Sequence, residues 1–111
     1  MTQKAKNLWD QLEREQLLDL KKNLDKAHSL GLGDGVTCHV RILNRGEQLF
    51  FCMAGRACMA QISTTHGLLY RSSLKVWDDG SPIFEVEKTV ICQAIVASCR
   101  RHYQLDLNLA G

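Results

Sequence analysis

The tract from Val36 to Trp77 constrains this chain more than any other. Val36, Cys38, Val40 and Ile42 alternate with Thr37, His39 and Arg41. A period of two is the mark of a strand with one buried face. Turn residues then punctuate the tract at Asn44-Arg45-Gly46, Ala54-Gly55-Arg56 and Thr65-His66-Gly67. The spacing predicts an antiparallel β-meander of about four strands, near 36–42, 48–53, 57–64 and 68–77. Within the third, Ala57-Cys58-Met59-Ala60-Gln61 is built of residues that favour helix over strand. A short helix there is the alternative, which turns the order into a helix-hairpin-helix-hairpin-helix α/β sandwich.

Helical patterns flank this tract. Ala5, Trp9, Leu12, Leu20, Leu24 and Ala27 recur on one face, with Leu17 at its margin, and predict a helix over 7–30. Asn7 and Asp10 resemble a capping pair, Gly31 a C-cap, and Lys26 and His28 suit the negative end of the dipole. Such a helix is roughly 34 Å long, which is long for so small a chain, and its far end calls for a covering partner. The glycine-rich Gly31-Leu32-Gly33-Asp34-Gly35 leaves a helix and enters a strand. Phosphate loops run the other way, from a strand into a helix N-terminus, so this segment reads as a helix stop and turn. Ser81 and Pro82 suit an N-cap and first position, Glu85 and Glu87 the positive end, and the second helix runs to about Tyr103. Leu105, Leu107 and Leu109 alternate with polar residues, the pattern of a short terminal strand. The expected class is α+β, as one domain over residues 1–111.

Composition narrows the function. Hydrophobic residues make up 45% and charged residues 23%, an ordinary globular balance. The net charge of +2 excludes a strongly basic nucleic-acid binder, yet it is unevenly spread. Residues 1–35 are neutral and residues 78–111 carry −2, whereas Arg41, Arg45, Arg56, Arg71 and Lys75 against Glu47 give residues 36–77 a charge of +4. The first seven residues are polar, and the most apolar run, Val90 to Cys99, is broken by Gln93 and Ser98. It falls far short of the ~20 residues of a membrane span, so a cytoplasmic protein without a membrane partner is expected. Cys38, Cys52, Cys58, Cys92 and Cys99 are odd in number and lack C-x-x-C spacing, which points to free thiols and to no metal site.

Three-residue hairpin loops would set Cys38 opposite Cys52, Cys52 opposite Cys58, and Cys58 opposite Leu74. Those thiols, with Val36, Val40, Ile42, Phe50, Ala60, Ile62, Leu68, Tyr70, Leu74 and Val76, make one core face; a redox or metal row is the sharper alternative. The other face would carry Leu49, Phe51, Met53, Met59, Leu69 and Trp77, too apolar for a solvated antiparallel face. Such a patch with a polar rim marks a contact. On the second helix, Ile83, Val86, Val90, Ala94 and Ala97 form one apolar stripe, and Cys92, Val96, Cys99 and Tyr103 another, which packs on the first helix or on a second copy. Catalytic constellations are lacking. His28 and His102 end helices, His66 lies in a turn, and alternation sends His39 and its neighbour Cys38 to opposite faces.

The leading expectation is a small cytoplasmic, non-enzymatic binding or adaptor protein without a cofactor. It acts as a homodimer or on a protein partner through Leu49, Phe51, Met53, Met59, Trp77, Val96 and Tyr103. A first alternative is an anionic ligand or single-stranded nucleic acid on His39, Arg41, Arg71 and Lys75, with Phe51 as a stacking platform. A second is a thiol- or metal-dependent regulator.

Overall fold

The computed structural model describes residues 3–111, with the side chain of Leu8 and those from Gln11 onward. Its elements are α1 (Gln3–Lys22), β1 (His28–Gly33), β2 (Val36–Leu43), β3 (Gln48–Met53), β4 (Arg56–Ser63), β5 (Leu68–Tyr70), α2 (Glu85–Tyr103) and β6 (Asn108–Ala110). They form one six-stranded sheet in the order β1-β2-β3-β4-β5-β6. The first five strands are an antiparallel meander, and α2 carries the chain back so that β6 pairs parallel with β5. The fold is therefore α+β, with an N-terminal helix, a strand meander, a C-terminal helix and a short last strand. The stretch Ala57–Gln61 is strand, as part of β4, and not a short helix. Burial on both faces overrides its local helix preference, since strand propensity is mostly a packing preference.

Three expectations are corrected. The first helix does not run over 7–30. It ends at Lys22, a 3₁₀ turn spans Leu24–Lys26, and the following residues form β1. Asn23 makes the break: its side-chain Nδ2 donates to the Asp19 carbonyl at 2.9 Å, while its main-chain N–H turns to Leu20 O. The side chain thus takes over a helical acceptor and frees the chain to leave. Gly31 is a strand residue and not a C-cap, and the turn of the glycine-rich segment is the hairpin at Asp34-Gly35, with φ of 52° and 76°. Paired left-handed residues are what a tight two-residue hairpin requires. Asn7 lies inside a helix that already runs from Gln3 and so does not cap it. The side chains of Ala5, Asn7, Trp9 and Asp10 lie outside the described residues.

The second correction is register. Leu43 pairs with Gln48 across residues 44–47, Met53 with Arg56 across Ala54-Gly55, and Ser63 with Leu68 across residues 64–67. Each loop differs by one residue from the expected three. A slip of one inverts every side chain of a strand relative to its neighbour, so β3 and β5 are turned over relative to β2 and β4. Cys38 faces Met53, Cys52 faces Ala57 and Phe51 faces Cys58. The row of three thiols does not form. The 44–47 loop is possible because Asn44, Arg45 and Gly46 all have positive φ and Gly46 packs against Thr64, where any Cβ would collide with the hydroxyl.

The third is extent. β5 stops at Tyr70, and Arg71–Ser73 is a 3₁₀ turn, so the expected strand to Trp77 survives only as an isolated Val76–Pro82 bridge. Ser81 and Pro82 do not start α2; Phe84 does, and its N–H donates to Glu87 at 2.9 Å.

α2 closes one face of the sheet. Ile91, Ala94, Ile95, Ser98 and Cys99 pack on Cys38, Val40, Leu49, Phe51, Cys58, Ala60, Ile62 and Leu69. α1 lies on the other face, where among the described residues Leu17 and Leu20 pack against Phe50, Cys52, Ala57 and Met59. Beside it opens a groove of about 1230 Å³ bordered by Glu13, Arg14, Gln61, Ser73 and Lys75. Among the described residues, no helix is long and apolar enough to cross a membrane.

Candidate functional site

The strongest candidate lies where the start of α2 meets the β3–β4 hairpin. Met53 ends β3 on the α2 side of the sheet, one residue before the Ala54-Gly55 turn. Trp77 is held beside it by main-chain bonds, its N–H donating to Ser81 O at 2.8 Å and its carbonyl accepting from Gly80 N–H at 2.9 Å. Val86, Glu87, Val90 and Ile91 of α2 complete the walls of an open cavity of about 180 Å³. Val86 is 73% exposed and Val90 44%, with Phe84 at the N-cap 63% exposed. Two walls of the apolar hollow, Val86 and Val90, thus face solvent, and exposed Phe84 precedes them in sequence. Scattered exposed apolar residues need no explanation, but a contiguous set around a concavity marks a contact surface.

The rim is charged and ordered. The Arg56 guanidinium lies 4.3 Å above the Trp77 ring and donates to Glu87 and Ser81, both at 3.1 Å. The Phe84 N–H, with Arg56 beside it, holds the Glu87 carboxyl below its usual range against its own desolvation. Arg71 donates to the Glu85 carboxylate at 2.6 Å and to the Glu85 carbonyl at 3.0 Å, fixing the first turn of α2 to the segment after β5. Behind the hairpin, Asp78 accepts the Ala57 N–H at 2.8 Å and Lys21 Nζ at 2.9 Å. Desolvation works to raise the Asp78 carboxyl, but those two donors outweigh it and the net direction is down. The Trp77 indole nitrogen is buried and lacks a hydrogen-bond partner among the described residues.

Of the residues expected at a partner interface, the structure brings Met53 and Trp77 together and separates the rest. Leu49 and Phe51 are fully buried under α2, because β3 is turned over. Met59 is buried on the opposite face against α1. Val96 and Tyr103 are half-buried against the main core, and the Tyr103 hydroxyl accepts the Ile42 N–H at 3.4 Å. The first apolar stripe expected for α2 is split, with Ile83 and Ala94 buried but Val86 and Val90 exposed. Cys92 and Cys99 of the other stripe are buried. A signal was present, since Val86, Val90, Gln93, Ala97 and Arg100 share one line along the helix, and its polar members mark that line as solvent-facing.

The candidate anion-binding residues do not converge. His39 and Arg41 lie half-buried on β2, on the face where α1 packs, and His39 Nδ1 is buried without a partner among the described residues. Lys75 is exposed beyond β5, three strand spacings or roughly 14 Å away. Arg71 is engaged by Glu85. Phe51, the expected stacking platform, has no exposed face.

All five thiols are free and buried. Burial pushes Cys58 far up, with the neighbouring Cys52 and Asp78 adding to it, and raises Cys99 to about 11. Burial also raises Cys52 and Cys92, against opposing pulls from Lys21 and Arg71. Thiols of this kind are packing groups and poor nucleophiles. Among the described residues, no group of three His, Cys, Asp or Glu side chains has metal-binding geometry. Comparison with protein-family models, with curated proteins and with solved structures finds nothing that matches this chain.

Proposed function

We propose that this is a small, non-enzymatic binding or adaptor protein of the cytoplasm that works through protein contacts, including a homodimer. Its partner site is the hollow between Met53, Trp77, Val86 and Val90, which takes one large apolar side chain of another protein. The observation that carries this reading is the exposure of Val86 and Val90 in the walls of an apolar cavity of about 180 Å³. A dry cavity of ~150 Å³ is enough to lodge a benzene-sized group. Glu87 at the edge of the hollow is already paired with Arg56, which also lies over the Trp77 ring, so both are oriented before a partner arrives. Five free, buried thiols agree with a reducing compartment.

The test is selection from a random peptide library against the intact protein, followed by affinity measurement with Val90→Asp. Exposed Val90 tolerates the change structurally, so circular dichroism stays unchanged. Enriched peptides carry a large apolar anchor, and their affinity falls at least about tenfold in the variant, the worth of one buried hot-spot contact. No enrichment, or peptides indifferent to Val90→Asp, removes the reading.

A further inference from the structure

His28 and His102 meet where the start of β1 passes the end of α2. His28 pairs across the ladder with Val40, which is buried under α2, so its side chain lies on the α2 face of the sheet. There its ring stacks on that of His102, with centroids 4.9 Å apart and planes at 18°. The Tyr103 ring meets His28 edge-on, also at 4.9 Å. Two hydrogen bonds frame the cluster. His102 Nε2 bonds the Ser29 carbonyl at 2.8 Å, and the Ile42 N–H donates to the Tyr103 hydroxyl at 3.4 Å. A carbonyl only accepts, so Nε2 carries a hydrogen and Nδ1 of His102 is the atom that takes a further proton. The rings thus tie the first residues of an edge strand to the last turn of a helix.

The surroundings offer little to neutralise a charge on this stack. From the 3₁₀ turn before β1 come Asp25 and Lys26, and from α2 comes Arg101, all three exposed. Arg100 is taken by Asp106. β2 presents apolar Val40 and Ile42 on this face, with His39 and Arg41 on the other. Among the described residues neither imidazole is in an ion pair. Histidine is the side chain whose charge ordinarily changes between about pH 5 and pH 8. One proton leaves the stack attractive, as a cation over an aromatic face, and the last carbonyls of α2 favour it. A second proton sets two like charges face to face at the 4.9 Å of the stack.

We propose that the His28–His102 stack is a proton-operated clasp, which holds the start of β1 to the end of α2 near neutral pH and releases it when both rings are protonated. His28 and Ser29 are the first residues of β1, so they are the ones that leave the sheet. The chain reaches them from α1 through Asn23–Ala27, so the joint that loosens is the one between the first helix and the sheet. The Tyr103 ring loses its edge contact at the same time, and with it the fixed position of the acceptor for the Ile42 N–H.

Amide hydrogen exchange of the full chain by NMR, at pH 7.5 and pH 5 and corrected for the intrinsic rate at each, tests this. The reporters are the amides of Val40 and Ile42, and the control is Phe51 in β3, a strand with neighbours on both sides. Acidification at low salt lowers the protection of Val40 and Ile42 roughly four- to twentyfold, the Coulomb repulsion of two charges at that separation in a mostly aqueous setting, and leaves Phe51 unchanged. His28→Phe keeps an aromatic ring against His102 that cannot be charged, and its protection holds at pH 5. His28→Lys is charged at both pH values and is open at both; if it fails to fold, the Phe variant decides alone. Equal protection of Ile42 at the two pH values in the wild type overturns the proposal. So does a His28→Phe protein that loses as much as the wild type, and so does an equal loss at Phe51, which would assign the effect to global unfolding.

Discussion

The two faces of the sheet are closed by different amounts of helix, and the contrast organises the molecule. α2 lies against its face from Ile91 to Cys99 and builds one continuous core from Cys38 across to Leu107. Among the described residues, α1 meets its face through Leu17 and Leu20, joined by the partly buried Leu24 of the following 3₁₀ turn, beside a wide groove lined by polar and apolar residues alike. Both faces bury a phenylalanine from the same strand, Phe51 under α2 and Phe50 under α1, each fully. Equal burial of a side chain does not mean equal constraint around it. The α2 side is held at both ends, by Arg71–Glu85 and Arg56–Glu87 at its start and by the β6 return at its finish. The described contacts of α1 end in one tie, Lys21–Asp78.

The largest expected effect breaks this comparison directly. Phe51→Ala costs about 4 kcal/mol in urea unfolding, because the clamped α2 cannot settle into the hole. Phe50→Ala costs about 1 kcal/mol less, because α1 can shift inward. Equal losses would show that the two helices are equally rigid. Next comes Leu17→Ala, about 2–3 kcal/mol by the same measurement, against less than about 0.5 kcal/mol for the exposed Leu12→Ala. A comparable loss at Leu12 would mean that α1 is covered in solution. Gly46→Ala follows at about 1–3 kcal/mol, for a positive φ and a collision with Thr64. Gly46→Ala with Thr64→Ala recovers only the steric part.

The smallest effects are pH-dependent, and they have opposite signs on the two sides. Asp78, on the α1 side, is held below its unfolded value. Its contribution is present above the ordinary carboxylate range, near 4, and is lost as pH falls through the lowered folded value. Asp78→Asn therefore flattens the acid limb of stability against pH. Cys99, under α2, is raised to about 11. Its contribution is complete below the unfolded thiol value of about 9 and is lost as pH rises from there toward 11. Unfolding midpoints at pH 8, 9 and 10 should decline, and the decline should be shallower in Cys99→Ala. A steeper alkaline decline in that variant would assign the effect to another group.

Much of the architecture was legible from the chain. Alternation in 36–42 marked β2, turn residues separated β2 through β5, and polar and apolar periodicity placed α2 and its end at Tyr103. The Leu105–Leu109 alternation marked the terminal strand. β1 was not legible, because His28–Gly33 is glycine-rich and exposed, and only pairing with β2 makes it a strand. The helix break at Asn23 was hidden for a similar reason: a single side-chain bond to Asp19 O overrode a helical pattern that continued through Ala27.

The candidate site was half legible. Met53 and Trp77 were singled out, but Leu49 and Phe51 were grouped with them on the wrong face. Loops of three residues and of two or four look alike when each combines Gly with small or polar residues, as Asn44–Glu47, Ala54-Gly55 and Thr64–Gly67 do. Yet that one-residue difference decides which side of the sheet a strand presents. Composition and periodicity are properties of neighbours along the chain, and by themselves they determined the class of fold, the number of major helices and the apolar character of both faces. Register, the division of the thiols between two faces and the exposure of Val86 and Val90 depend on residues far apart in sequence meeting in space. Only the tertiary structure could decide them.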